Sequence, residues 1–265
     1  MHHIFVNENI VDLANKIITL HKNDDEETYN HLVKSLRVNA GEQVLCSVMP
    51  FELSFDYLCV ISDISNDGIS LSIIEETSAR ELKAKINLYQ GISKSDKLEF
   101  IIEKAVELGV SEITPLSTEY CIAKIDEKKN VKKIERFNKI AKSAAEQSKR
   151  HIIPKVNEPM KFGECIDRIC KKAKEANSTY NLLFYENATG ISGTRDVIRE
   201  IKRKIEEGLS IEVNVIIGPE GGFSDREIEK VKETSEVNIL SLGDRILRTE
   251  TAAITALSIL MYELA

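Results

Sequence analysis

The sequence predicts an α/β protein with a small β-rich part in front of it, and three observations carry that prediction. Short runs of β-branched and apolar residues separated by Asn, Asp, Gly and Pro fill roughly the first 75 residues, the spacing of a compact β-barrel. From residue 86 onward, apolar strand candidates alternate with stretches of helical period, the pattern of a parallel sheet covered on both faces. Between the two lies a polar stretch, so residues 1–75, a linker at 76–85 and residues 86–265 form the expected organisation.

In the first part the strand candidates are Ile4–Val6, Gln43–Val48, Asp56–Ile61 and Ile69–Ile74, and Asn30–Leu36 has room for one or two helical turns. Asn66-Asp67-Gly68 is a hairpin signal, because Asp-Gly accepts the positive φ of a tight turn. In the second part the candidates are Ile86–Gln90, Glu112–Leu116, Asn181–Tyr185, Val213–Ile217 and Asn238–Leu242. Leu98, Ile101, Ile102, Ala105 and Leu108 mark one helical stripe, ended at Gly109. Ile134, Phe137, Ile140, Ala141 and Ala144 mark another, with lysines on the opposite face. Ser224-Asp225-Arg226-Glu227 reads as a capping box. The last helix, from about Thr251 to Leu264, is apolar on more than one face, which predicts burial against a second copy in a homodimer.

Composition narrows the function. The chain of 265 residues has 42% hydrophobic and 30% charged residues and no Trp, which excludes a Trp-lined base platform. The start, Met1 to Val6, meets Asn7, Glu8 and Asn9 at once, and Ala252–Tyr262 is about half of a membrane span; no membrane partner and a cytoplasmic location are expected. The five cysteines form no C-x-x-C pair and read as reduced thiols, and the histidines have no metal-ligand spacing, so no metal is expected. Net charge is −7, yet residues 121–150 carry ten basic against four acidic side chains, Lys124 to Lys142 among them, while the first 75 residues sum to −8. The basic run is either a solvated helix face or a phosphate-binding surface.

Two segments stand out at strand ends, where open α/β sheets bind ligands. Gly218-Pro219-Glu220-Gly221-Gly222-Phe223-Ser224 leaves one strand and enters a capped helix; it is either a tight turn or a place where backbone approaches a ligand. It is not a nicotinamide or nucleoside-triphosphate fingerprint. Leu242-Gly243-Asp244-Arg245-Ile246-Leu247-Arg248-Thr249-Glu250-Thr251-Ala252 puts two arginines before a helix N-terminus, where the dipole favours negative charge. Either Glu250 pairs with them or an anionic ligand does.

Together G-P-E-G-G-F-S and L-G-x-R-I-L-R-x-E-T-A-A resemble the signature motifs of the ribosomal RNA small subunit methyltransferase E family, bacterial 16S rRNA uridine-N3 methyltransferases of the SPOUT class. Gly91-Ile92-Ser93-Lys94 through Lys104 to Val110, Ala144-Ala145-Glu146-Gln147-Ser148-Lys149-Arg150, and His31 through Arg37 to Gly41 are similar to further stretches of that family. The acidic N-terminal part departs from what an RNA-binding domain would suggest. The resemblance implies a C-terminal SPOUT domain with a parallel sheet and a deep trefoil knot, behind an N-terminal PUA-like RNA-binding β-barrel. It implies S-adenosyl-L-methionine as cofactor, held by Tyr185, Glu186, Ile217, Gly218, Pro219, Gly222, Leu242, Gly243, Ile246, Leu247, Thr251 and Ala252. Arg248, Arg245 and Glu250 are the expected catalytic residues, with Glu220 as a further candidate for orienting an arginine or assisting proton removal. His31, Arg37, Lys94, Lys149 and Arg150 are the expected contacts to 16S ribosomal RNA or the small ribosomal subunit. A non-catalytic RNA-binding ribosome-assembly factor and an unrelated small-ligand α/β enzyme are the alternatives.

Overall fold

The computed structural model describes residues 1–50, 55–78, 80–121, 127–176 and 178–265. They fall into two compact units. The first holds Met1–Glu81 together with Ala145–Ile152, and the second holds Leu82–Ala144 and Ile153–Ala265.

In the first unit, β1 (His2–Asn7), β2 (Val11–Asp12), β3 (Ile17–His21), β4 (Gln43–Met49), β5 (Phe55–Ile64) and β6 (Gly68–Ser78) form a curled sheet in the order β1-β4-β5-β6-β3-β2. β1 runs parallel to β4 and every other pair is antiparallel. Alternating residues such as Ile4, Val6, Val44, Cys46, Ile69 and Leu71 make the core, to which the short helix α1 (Glu26–Asn30) adds Tyr29 and the π-helical turn His31–Leu36 adds Leu32. The Asp67-Gly68 turn forms where expected, braced by Ser65 Oγ, which accepts from the Gly68 N–H at 3.1 Å. β6 runs on to Ser78, into the stretch expected to be polar linker, because Glu75–Ser78 pair with Phe55–Leu58 through backbone bonds that polar side chains do not forbid. The strand expectations omit β3, although Ile17, Ile18 and Thr19 are all β-branched.

Below this sheet lies a buried polar chain. His3 Nε2 and Ser47 Oγ are 2.8 Å apart, Ser47 donates to Asp56 Oδ1, and His151 Nδ1 lies 2.7 Å from the same oxygen. Beside it Arg150 binds Glu81 through Nε and Nη2, and the backbone N–H groups of His151 and Ile152 donate to Glu81 Oε1 at 3.0 and 3.3 Å. These bonds tie the segment 145–152 into the first unit.

In the second unit, β7 (Lys85–Gly91), β8 (Glu112–Ser117), β9 (Lys155–Val156), β10 (Met160–Lys161), β11 (Thr179–Phe184), β12 (Glu212–Ile217) and β13 (Val237–Leu240) form one sheet. Its order is β10-β8-β7-β12-β11-β13, with β9 also on β8, and every pair is parallel. The helices are α2 (Ser95–Glu107), α3 (Glu127–Ser148), α4 (Phe162–Glu175), α5 (Ser192–Glu206), α6 (Asp225–Lys232) and α7 (Thr249–Leu264). Central strands are buried on both faces, as Leu88, Leu182, Leu183, Val215 and Ile216 are. Three in-register asparagines cross them. Asn87 donates to Asn214 Oδ1 at 3.0 Å, Asn214 to Asn181 Oδ1 at 2.8 Å, and Asn181 to the Glu236 carbonyl at 2.9 Å. On α4, burial pushes the Cys165 thiol up to about 12, which makes it inert. Among the described residues no helix is long and apolar enough to cross a membrane.

Candidate active site

The carboxyl ends of β11, β12 and β13 each turn a sharp corner, and the three corners share one cavity of about 320 Å³. After β12, Gly218 has a neighbour so close that an added Cβ would lie 3.2 Å from the Phe223 ring, and Gly222 takes φ +71°, where a Cβ would meet Glu186 Oε1 at 2.5 Å. The left-handed backbone at Gly222 favours glycine, while a side chain at Gly218 would require the Phe223 ring to give by a few tenths of an ångström. Ser224 then caps α6 in a reciprocal capping box with Glu227, as expected. After β13, Gly243 takes φ +114°, and the Ser241 carbonyl accepts from Thr194 Oγ1 at 2.7 Å. The corner after β11 is fastened to β13 by the Tyr185 N–H, which donates to the Leu240 carbonyl at 3.0 Å. A brace holds the floor: Gln90 Nε2 donates to Thr249 Oγ1 at 2.8 Å, and Thr249 donates to the Gly218 carbonyl at 2.6 Å.

The cavity brings together Tyr185, Glu186, Ile217, Gly218, Pro219, Gly222, Leu242, Gly243, Ile246, Leu247 and Ala252, and also Arg245 and Arg248. Thr251 is exposed and is not among the lining residues. Ile246 is 86% exposed, an aliphatic side chain with nothing packed over it at the cavity rim. Glu250 does not pair with either arginine. Its carboxylate lies 3.7 Å from Lys97 Nζ, and Glu220 lies 3.4 Å from the same ammonium. Among the described residues Arg245 and Arg248 form no ion pair, and both are exposed. Lys97, which lines the cavity, is absent from the sequence expectations, because a lysine in the first turn of an amphipathic helix reads as a solvated face.

The expected RNA contacts fall in different places. In the first unit His31 opens the π-helical turn, half-buried, and Arg37 ends it, exposed and left-handed at φ 53°. Lys149 is half-buried with φ 57°. Arg150 is 3% exposed and committed to Glu81, so a phosphate would have to displace that carboxylate. In the second unit Lys94 is exposed at the start of α2. Of the basic run on α3, Lys124 and Asp126 lie outside the described residues, as do the side chains of Glu127, Lys128 and Lys129.

The RNA methyltransferase domain family matches residues 80–261. The ribosomal RNA small subunit methyltransferase E of Bacillus subtilis (strain 168) is 36% identical over 238 residues, covering 89% of this chain and 88% of its own. The chain belongs to the ribosomal RNA small subunit methyltransferase E family. Two solved structures extend the likeness over nearly the whole length. A Legionella pneumophila methyltransferase, solved with bound cofactor SAM, is 32% identical with a TM-score of 0.75, covering 98% of this chain and 96% of its own. The family's Neisseria gonorrhoeae member, bound to S-adenosyl methionine, is 25% identical with a TM-score of 0.74, covering 99% and 97%.

Proposed function

We propose that this chain transfers a methyl group from S-adenosyl-L-methionine to N3 of a uridine in 16S ribosomal RNA. It is a methyltransferase of ribosomal RNA that uses S-adenosylmethionine, as its family membership implies; the uridine and its N3 atom are the finer reading. One observation supports it above the others: the two glycine corners, 218–222 and 242–248, meet around one cavity with apolar walls and accessible backbone. The cavity is at the small end of the range for small-molecule sites, about 300–1,000 Å³. Ile217, Leu242, Ile246, Leu247 and Ala252 suit the face of an adenine, and the backbone of Gly218 and Gly243 suits its edge. Tyr185, Glu186, Pro219 and Gly222 complete the proposed cofactor set, and Thr251, exposed and outside the cavity lining, is left out of it. The bound cofactor supplies a methyl already activated by its sulfonium charge.

The protein's own share is positioning and charge. Arg248 and Arg245, rim cations that form no ion pair among the described residues, face the uracil oxygens as they gain charge, or a backbone phosphate. Glu250 acts through Lys97. N3 lies on the pairing edge, so the base must be unpaired or flipped out. His31, Arg37, Lys94, Lys149 and, once released from Glu81, Arg150 are the proposed RNA contacts, joined by the lysines of α3. We also read residues 1–75 as a PUA-like RNA-binding barrel joined through 76–85 to a SPOUT domain at 86–265 with its chain knotted at the cavity corners, in a cytoplasmic protein. The exposed Tyr262 and half-buried Ile254, Ile259 and Met261 of α7 fit a homodimer face, which sedimentation tests.

Calorimetry should give saturable S-adenosylmethionine binding. Undermethylated small-subunit RNA should gain N3-methyluridine by mass spectrometry of its nucleosides. Arg248→Ala should keep cofactor affinity and lose about a hundredfold in single-turnover rate. A protein that binds no cofactor, or methylates another atom, ends this reading.

A further inference from the structure

One residue that lines the cavity, Glu220, has hydrogen-bonding capacity to spare. Lys97 Nζ stands between two carboxylates, Glu220 at 3.4 Å and Glu250 at 3.7 Å, and Lys97 and Glu220 line the cavity. Among the described residues, Glu220 Oε2 and Glu250 Oε2 are buried without a hydrogen-bond partner, though Glu250 Oε2 is the oxygen that faces the Lys97 ammonium. So are two atoms on neighbouring residues, Gln90 Oε1 and Ser93 Oγ, whose side chains are 0% and 2% exposed. Gln90 spends its amide nitrogen on Thr249, the residue before Glu250, which leaves its oxygen without a donor. Ser93 precedes Lys94, whose backbone N–H reaches Glu220 Oε1 at 3.5 Å.

Such atoms are costly to bury unpaired, so an orphaned carboxylate oxygen on a residue that lines a cavity is one that a ligand's donor can satisfy. Three of the four are acceptors, and the cluster of two carboxylates and one ammonium carries a surplus negative charge. It therefore takes a hydrogen-bond donor. The rim arginines have no such capacity, since guanidinium only donates.

We infer that Glu220 is the proton acceptor for the imide N–H of the target base, with Lys97 as the residue that positions it. The inference rests on the uridine-N3 reading above. The pairing edge of uracil presents acceptor, donor, acceptor. A carboxylate flanked by the Lys97 ammonium and the Lys94 backbone N–H presents the complementary order. Cytosine carries no hydrogen on N3 and gains nothing from Glu220. The carboxylate turns about its last torsion at little cost, so its unbonded oxygen can meet the incoming base. The N3–H bond breaks with its proton passing to Glu220 and its electron pair staying on N3. That pair takes up the methyl group, while the former carbon–sulfur pair remains on sulfur. The proton leaves Glu220 for water when product departs.

The test uses the full-length protein and an RNA carrying the target position. With uridine there, the wild type must first yield N3-methyluridine; failure at this step ends the functional reading itself. Glu220→Gln should then bind S-adenosylmethionine as the wild type does, yet lose at least about a hundredfold in single-turnover rate. RNA with 5-fluorouridine at the target, whose imide is more acidic, should restore much of that loss. Without cofactor, the wild type should bind uridine RNA more tightly than N3-methyluridine RNA, and Glu220→Gln should lose that preference. Should Glu220→Gln lose the cofactor, Glu220→Asp replaces it, with a loss of at least about tenfold expected from the shortened reach and partial rescue by 5-fluorouridine. A wild-type rate in the variant that binds cofactor, an unchanged preference, or no rescue overturns the assignment of Glu220.

Discussion

The two units bury their polar groups by different chemistry. The first unit runs a titratable chain through its interior, His3, Ser47, Asp56 and His151, with Arg150 on Glu81 beside it. The second unit crosses its central strands with neutral amides, Asn87, Asn214 and Asn181, and places its charge clusters at the strand ends, Lys97 with Glu220 and Glu250 at the cavity and Lys172 with Glu212 at the start of β12. Amide rungs are insensitive to pH and fix which residues face each other across parallel strands, which is what three corners converging on one cavity require. The first unit's chain instead fastens a distant segment, Ala145–Ile152, through the contact of His151 with Asp56.

The largest effect is expected at Asp56. Asp56→Ala removes the acceptor shared by Ser47 and His151 inside the core and should cost the first unit about 3–5 kcal/mol in urea unfolding. The same measurement on Asn214→Leu should show about 1–3 kcal/mol, because Asn87 keeps its bond to Glu212 while Asn181 Oδ1 loses its donor. If the amide rung proves the costlier of the two, the contrast drawn here is reversed.

A finer test uses pH. Burial holds the His3 ring below the usual histidine range, with Asp56 opposing the shift. The unfolded chain therefore binds the His3 proton first as pH falls. The contribution of His3 is complete above its unfolded value near 6.5 and is lost as pH drops through the depressed folded value. Acid titration of unfolding should show this slope, and His3→Gln should flatten it. The smallest effect belongs to the α3 surface. Lys139→Glu should weaken RNA binding modestly and lower its salt slope by about one; binding equal at low and high salt would remove that face from the RNA site.

What the sequence discloses follows from how local the signal is. The Asp67-Gly68 turn, the Ser224–Glu227 box and the glycines at 218, 222 and 243 all act over a few residues, so their spacing suffices to read them. Five of the seven strands of the parallel sheet are legible because burial on both faces forces continuous apolar runs, whereas the two-residue β9 and β10 are too short to leave a pattern. Lys97 is not legible, since its meaning comes from Glu220 and Glu250, far along the chain. Arg150 misleads for the same reason: between Lys149 and His151 it looks like a hand for phosphate, and only the fold shows that Glu81 already holds it. Glu250 looked like a partner for its neighbouring arginines and instead reaches Lys97.

The segment Ala145–Ile152 belongs to the first unit although more than sixty intervening residues, 82–144, belong to the second. During synthesis the first unit thus lacks this segment until residue 152 has left the ribosome, when His151 can reach Asp56. For the same reason no single cut yields either half intact: a chain ended at Glu81 lacks the histidine its buried aspartate binds, and one begun at Leu82 carries that histidine with nothing to hold.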